Sequence, residues 1–191
     1  MKRGDGARLL RDRLGRDDVV VCSLGSTRRA WVELGAPQPT YYASDPMGTA
    51  PALALGLALA RPDRRVVLLE GDGDLAMNLG VLLAIAGASP ANLRIAVFVN
   101  GRYETGGEQP LPGTDGRSFA AIAKGAGIPW TGEARGPSEA GKLIDELLSL
   151  GGVGLLALHV DAEPSPYPAD PGPTSQAEDR AAFQRRLEEE G

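Results

Sequence analysis

Gly71-Asp72-Gly73 and Asn100 combine the residue types needed to hold a phosphate and a divalent cation together. The glycines let the backbone approach an anion closely, and the first N–H groups of a helix have no intrahelical acceptor, so they are free to donate to phosphate oxygens. Asp72 would repel such an anion unless a cation lay between them, and Mg²⁺ characteristically joins one or two protein carboxylates to phosphate oxygens. Asn100 can offer a side-chain oxygen to the same ion, and the backbone carbonyl of Arg102 can offer another. Two phosphate oxygens and a water would complete an octahedron.

Those oxygens meet only if the strands ahead of them lie side by side with their carboxyl ends at one edge, which is where open parallel sheets bind ligands. Residues 19–22, 66–69, 95–99 and 155–160 form apolar, β-rich runs that do not alternate with polar residues. Strands of that kind belong in a sheet covered on both faces. Residues 41–43 are a weaker strand candidate. Helical spacing marks 4–14, 27–34, 49–60, 75–86, 118–126 and 138–150, the last preceded by Pro137. Strand and helix alternate, so the expected fold class is α/β, a mostly parallel sheet with helices on both faces. One domain over residues 1–161 accounts for these elements. Residues 162–175 carry five prolines and read as an extended tail, and 176–190 read as a charged helix that docks on a partner or stays mobile.

The net charge of −5 is dispersed along the chain, with no basic stripe, so nucleic acid is not an expected partner. Cys22 is the single cysteine; no internal disulfide can form, and a cytoplasmic setting is expected. The first residues are charged rather than a signal core. The longest apolar region, residues 50–60, falls short of the roughly 20 residues that span a bilayer, so no membrane association is expected.

Gly71-Asp72-Gly73, one crossover and then Asn100 resemble the cofactor motif of thiamine diphosphate-dependent enzymes. The likeness extends to Ser44-Asp45-Pro46-Met47-Gly48-Thr49 ahead of an Ala/Gly-rich helix. It is nearest to the sulfopyruvate decarboxylase β subunits and phosphonopyruvate decarboxylases in Met77-Asn78-Leu79-Gly80 and in Asn100-Gly101-Arg102-Tyr103-Glu104-Thr105-Gly106-Gly107-Glu108-Gln109-Pro110. The resemblance implies the thiamine diphosphate-binding fold, with thiamine diphosphate and Mg²⁺ as cofactors. It makes Asp72 and Asn100 side-chain metal ligands and Arg102 a carbonyl ligand. Gly71, Gly73 and Asp74 would belong to the diphosphate-binding segment, the last two through backbone N–H groups. Met47 would be the wedge that bends the cofactor, and the Asp45 carbonyl would hold its amino group. Asp74 departs from the family, which usually has a small Ser or Ala there.

The family's essential glutamate belongs to a separate pyrimidine-binding domain. The resemblance therefore implies a hetero-oligomer in which an α subunit supplies that Glu, and this chain is the β subunit of a two-component decarboxylase of small anionic 2-oxo acids. An acetolactate synthase-like carboligase subunit and a non-catalytic binding or regulatory subunit of the same fold remain alternatives. Thr27 and Arg28 follow the first strand; an arginine here, Arg28 or Arg29, either binds an anionic substrate group or lies on a solvated helix surface. Tyr103, Glu104 and Thr105 either shape and cover the site or contact a partner. Asn78 reads first as a helix-start residue, His159 as a satisfied buried histidine and Cys22 as a small core residue.

Overall fold

The computed structural model describes residues 1–44, 46–113, 116–162 and 176–189. In chain order the elements are α1 (Arg3–Arg11), β1 (Val19–Cys22), α2 (Gly25–Glu33), β2 (Thr40–Tyr42), α3 (Ala50–Ala60), β3 (Val66–Gly71), α4 (Asp72–Ala76), α5 (Val81–Ala88) and β4 (Leu93–Val99). A small hairpin follows, β5 (Arg102–Tyr103) and β6 (Gln109–Pro110), joined through a 3-10 turn at Glu104–Gly106. Then come α6 (Phe119–Gly125), β7 (Trp130–Ala134), α7 (Pro137–Ser149), β8 (Gly154–His159) and α8 (Gln176–Glu189).

Six strands form one sheet in the order β2-β1-β3-β4-β8-β7. Every pairing in it is parallel. Successive residues feed two separate cores, which explains the unbroken apolar runs. Leu68, Ile95, Val97 and Leu155 point into the core beneath α3, α5 and α6. Their neighbours Val67, Leu69, Ala96, Phe98 and Leu156 point into the core beneath α1, α2 and α7. Each fully buried aliphatic side chain of this kind contributes about 1.5–3 kcal/mol.

The helices follow the same logic. On α7, Ala140, Gly141, Ile144 and Leu147 make the buried stripe, and the Glu139 carboxylate accepts the Arg135 N–H at 2.8 Å ahead of the first turn. Ser118 caps α6 by accepting the Ala121 N–H at 3.2 Å. On α1 the stripe is Arg3, Gly6, Ala7 and Leu10. At Gly6 an added Cβ would come within 3.1 Å of the Phe98 ring, so α1 rides close over β4.

Three expectations change. The helix expected over 75–86 is two helices, α4 and α5, separated at Met77-Asn78-Leu79-Gly80. Asn78 and Gly80 have low helix propensity, and the backbone there makes i→i−3 bonds such as Met77 N–H to Asp74 O and Val81 N–H to Asn78 O. The polar edge strand β7 and the β5–β6 hairpin had no apolar signature. The C-terminal helix α8 docks on this chain's own β2 edge: Phe183 is buried and meets Tyr41 edge-on at 5.5 Å, and Arg186 donates to the Pro37 and Gln38 carbonyls. The proline-rich stretch 163–175 lies outside the described residues. No described helix is long and apolar enough to cross a membrane.

Candidate functional site

The strand order reverses direction at β1, with β2 on one side and β3 on the other. Ligands of doubly wound sheets occupy such a switch point, at the carboxyl edge. A cavity of about 360 Å³ lies there. Ser26 and Thr27 enter it from the start of α2, Asp72 and Gly73 from the start of α4, and Asn100, Arg102 and Tyr103 from beyond β4. The crossover from β3 to β4 thus brings Asp72 and Asn100 to one opening, as their separation predicted.

Asp72 is 3 % exposed. Its Oδ1 accepts the Gly73 N–H at 2.9 Å, and its Oδ2 accepts those of Asn100 at 3.0 Å and Gly101 at 2.7 Å. Burial raises its pKa; the three N–H donors and the nearby Arg3 charge offset this only in part. A cation beside it would complete the compensation. The Gly73 N–H, expected to face a phosphate, is thus engaged by Asp72. At Gly73 an added Cβ would lie 2.9 Å from the Tyr103 ring and 3.5 Å from the Arg102 carbonyl oxygen. Only glycine lets that carbonyl and the aromatic wall approach α4 so closely.

Asn100 is held from both ends. Its Oδ1 accepts the Arg102 N–H at 2.9 Å, and its Nδ2 donates to Glu104 Oε2 at 3.1 Å. Glu104 in turn is gripped by Arg3, with guanidinium contacts of 3.2 and 2.7 Å. Their side chains are 8 % and 10 % exposed. Sequence reasoning missed Arg3 altogether, although it occupies the buried stripe of α1, one turn ahead of Gly6 and Ala7.

The Asp74 side chain does not face an unshielded phosphate. It is buried, and its Oδ1 accepts the Gly48 N–H in a short hydrogen bond. Behind it Glu70 is fully buried at the end of β3, with burial first and then the Asp74 charge pushing its carboxyl well above the ordinary range. Met47 lines the cavity and is 37 % exposed. Asp45 lies outside the described residues.

Thr27 reaches the cavity, but Arg28 does not. Its guanidinium lies 5.1 Å from the Tyr42 ring centroid and 3.9 Å from the Asp179 carboxylate of α8. One helical step rotates residue 28 away from the face that carries Thr27. The structure thus places the Arg28 side chain between Tyr42 and α8 rather than in the cavity lining. His159 is half-buried beside β7, with Nε2 2.6 Å from Glu133 Oε1, and does not line the cavity. Cys22 is buried, and desolvation pushes its thiol far up, away from reactivity.

The donor set fits Mg²⁺, since a carboxylate, an amide oxygen and a carbonyl are all hard oxygen ligands. The cavity has the size of a small-ligand pocket. Fold and site together define a doubly wound α/β domain with an open cavity at its switch point. The chain belongs to the thiamine pyrophosphate enzyme family: residues 25–158 match the family model for the thiamine pyrophosphate enzyme C-terminal TPP binding domain. Among curated relatives, it is 42 % identical over 93 residues to sulfopyruvate decarboxylase subunit beta of Methanothermobacter thermautotrophicus, covering 49 % of this chain and 50 % of that protein. It is 38 % identical over 99 residues to phosphonopyruvate decarboxylase of Streptomyces viridochromogenes, covering 51 % of this chain and 25 % of that one. The matches thus span half of the first relative and a quarter of the second. The solved structure of benzoylformate decarboxylase from Polynucleobacter necessarius superposes with a TM-score of 0.76 at 20 % identity, over 85 % of this chain and 34 % of that one, and shares the fold.

Proposed function

We propose that this chain is the cofactor-holding β subunit of a two-component, thiamine diphosphate- and Mg²⁺-dependent decarboxylase of small anionic 2-oxo acids. The observation that carries the proposal is the meeting of Asp72, Asn100 and the Arg102 carbonyl at one opening, beside the start of α4. In this reading Asp72 and Asn100 give side-chain oxygens to Mg²⁺, and Arg102 gives its carbonyl. When bound, the ion would offset the Asp72 charge beside the diphosphate, and the Tyr103 ring walls the pocket beside Gly73. The bound cofactor would supply the electron sink for the carbanion left when CO₂ departs. Relatives carrying the name subunit beta favour an assembly with a second polypeptide. That α subunit would bring the pyrimidine-binding surface and the glutamate that activates the cofactor. Exposed Met47, Met77, Leu79 and Leu83 follow one another from the cavity along the α4–α5 connection and suit such a contact. The test is calorimetric titration of thiamine diphosphate with Mg²⁺ into the chain, alone and with its α subunit. Asp72→Ala should abolish Mg²⁺-dependent binding; near-normal affinity in that variant would refute the ligand assignment.

A further inference from the structure

Gly48 sits between Met47 and α3 with a φ of +81°, a conformation that favours glycine. An added Cβ there would come within 2.9 Å of the Asn78 Cβ and 3.3 Å of the Met77 Cβ, so the 46–49 turn lies directly against the break between α4 and α5. That break grips both polar groups of Gly48. The Asp74 Oδ1 accepts its N–H, and the Asn78 Nδ2 donates to its carbonyl at 3.0 Å. Asp74 is buried inside the first turn of α4, and its carboxylate is anchored by the same short helix that presents Asp72. On the far side, Thr49 Oγ1 donates to the Pro46 carbonyl at 2.7 Å and closes the turn on itself. Met47 stands in this turn beside Gly48, exposed at the cavity wall.

We infer that Asp74 and Asn78 form a two-sided clamp on Gly48 that sets the height of Met47 over the cavity, and that they act as positioning residues for the non-phosphate part of the bound cofactor. The inference rests on the function proposed above and adds a role for two residues that this function leaves unused. A Ser at position 74 would carry its oxygen one bond nearer the backbone than Asp74 carries Oδ1, further from the Gly48 N–H that Oδ1 meets. Asp74 thereby joins the diphosphate-binding end of the site to the wall that Met47 forms.

Two probes separate the clamp from the anchor. Inorganic pyrophosphate with Mg²⁺ reports the Asp72–Asn100–Arg102 anchor alone, whereas thiamine diphosphate with Mg²⁺ also contacts the Met47 wall. Both are titrated into the full chain as wild type, Asp74→Ala, Asp74→Asn and Asn78→Ala. The expected result is that Asp74→Ala and Asn78→Ala weaken thiamine diphosphate about tenfold more than they weaken pyrophosphate, as the loss of one buried hydrogen bond to a positioning group predicts. Asp74→Asn keeps an Oδ1 acceptor and should restore most of that difference. Hydrogen exchange of the Gly48 amide should speed up in Asp74→Ala, with β3 and β4 still protected. Equal weakening of both probes, no weakening of either, or a wild type that binds thiamine diphosphate no tighter than pyrophosphate would each overturn the clamp. A wild type that binds pyrophosphate with Mg²⁺ leaves the anchor standing in all three cases; one that binds neither probe removes the anchor as well.

Discussion

Replacing Arg3 by Met removes a guanidinium from one of the most buried ion pairs of the chain while keeping most of the side chain's apolar stem. Arg3 and Glu104 are 8 % and 10 % exposed, and their contacts measure 2.7 and 3.2 Å. Breaking a buried pair by deleting one partner costs about 3–5 kcal/mol, because the remaining charge stays desolvated. Glu104 keeps one donor, the Asn100 amide at 3.1 Å, which places the expected loss near the lower end, about 3 kcal/mol. The assay is equilibrium urea unfolding of Arg3→Met, Glu104→Gln and the double variant. Gln at 104 still offers an acceptor to Asn100 without a charge to neutralise, so the double variant should recover at least about 1.5 kcal/mol relative to the sum of the single changes. Arg3→Met should also weaken binding of pyrophosphate with Mg²⁺, since a bare Glu104 carboxylate then faces the incoming anion. A loss below about 1 kcal/mol in Arg3→Met, or additive single variants, would refute the reasoning.

Arg94, in the middle of the sheet, donates to the carbonyls of Ala91, Leu93, Gly152 and Leu150 and so ties β4 to the turn after α7. Arg94→Met removes all four bonds, with only Leu93 buried among the acceptor residues, and should lower the unfolding free energy by about 1–3 kcal/mol in urea titration; a change within about 0.5 kcal/mol would show that water replaces the guanidinium. Stability should fall in acid partly through Glu133. Burial raises its pKa, but the hydrogen bonds from Ser118 and His159, with the charges of His159 and Arg135, outweigh that and leave it below the ordinary carboxylate value. A depressed folded-state pKa contributes stability that is present above the unfolded value, roughly pH 4.3, and is lost as pH falls through the folded one. Glu133→Gln should therefore flatten the acid limb of a plot of unfolding free energy against pH; an unchanged limb would assign acid sensitivity elsewhere.

The sheet's centre was legible because each of its strands must fill two cores at once, which forces runs such as Val66-Val67-Leu68-Leu69 that little else requires. The edges were not. Trp130-Thr131-Gly132-Glu133-Ala134 is half-buried along most of its length and carries no apolar run. The helix break at Asn78 was hidden by apolar residues on both sides, Leu75 and Val81, whose spacing suits a single helix. The docking of α8 turns on one buried residue, Phe183, in an otherwise polar helix. Among the candidate site residues, Asp72 and Asn100 could be read because each directly follows a strand, and parallel topology then decides where strand ends go. Arg3 meets Glu104 across 101 positions, and no local pattern encodes that pairing. A fully buried Glu70 at the end of an apolar strand was the one unread signal, since a charge placed there needs a reason.

The charges around the cavity argue for a cation and an anion arriving together. Asp72, Asp74 and Glu104 all line it. Glu104 is neutralised by Arg3, and the Asp74 carboxylate is turned onto the Gly48 N–H with Glu70 behind it. Asp72 has hydrogen bonds to three backbone N–H groups and, among the described residues, no direct ion pair. Two like charges about 4 Å apart repel by roughly 4 kcal/mol at the effective dielectric of a protein surface. A diphosphate entering without metal would meet that repulsion at Asp72, whereas the same carboxylate attracts Mg²⁺ and, through it, the phosphate oxygens. Because binding free energies are linked, each ligand must raise the affinity for the other by the same factor. On the proposed function, Asp72 would select the metal–diphosphate pair over either component alone, with Arg3 paired to Glu104 and Asp74 turned onto the Gly48 N–H.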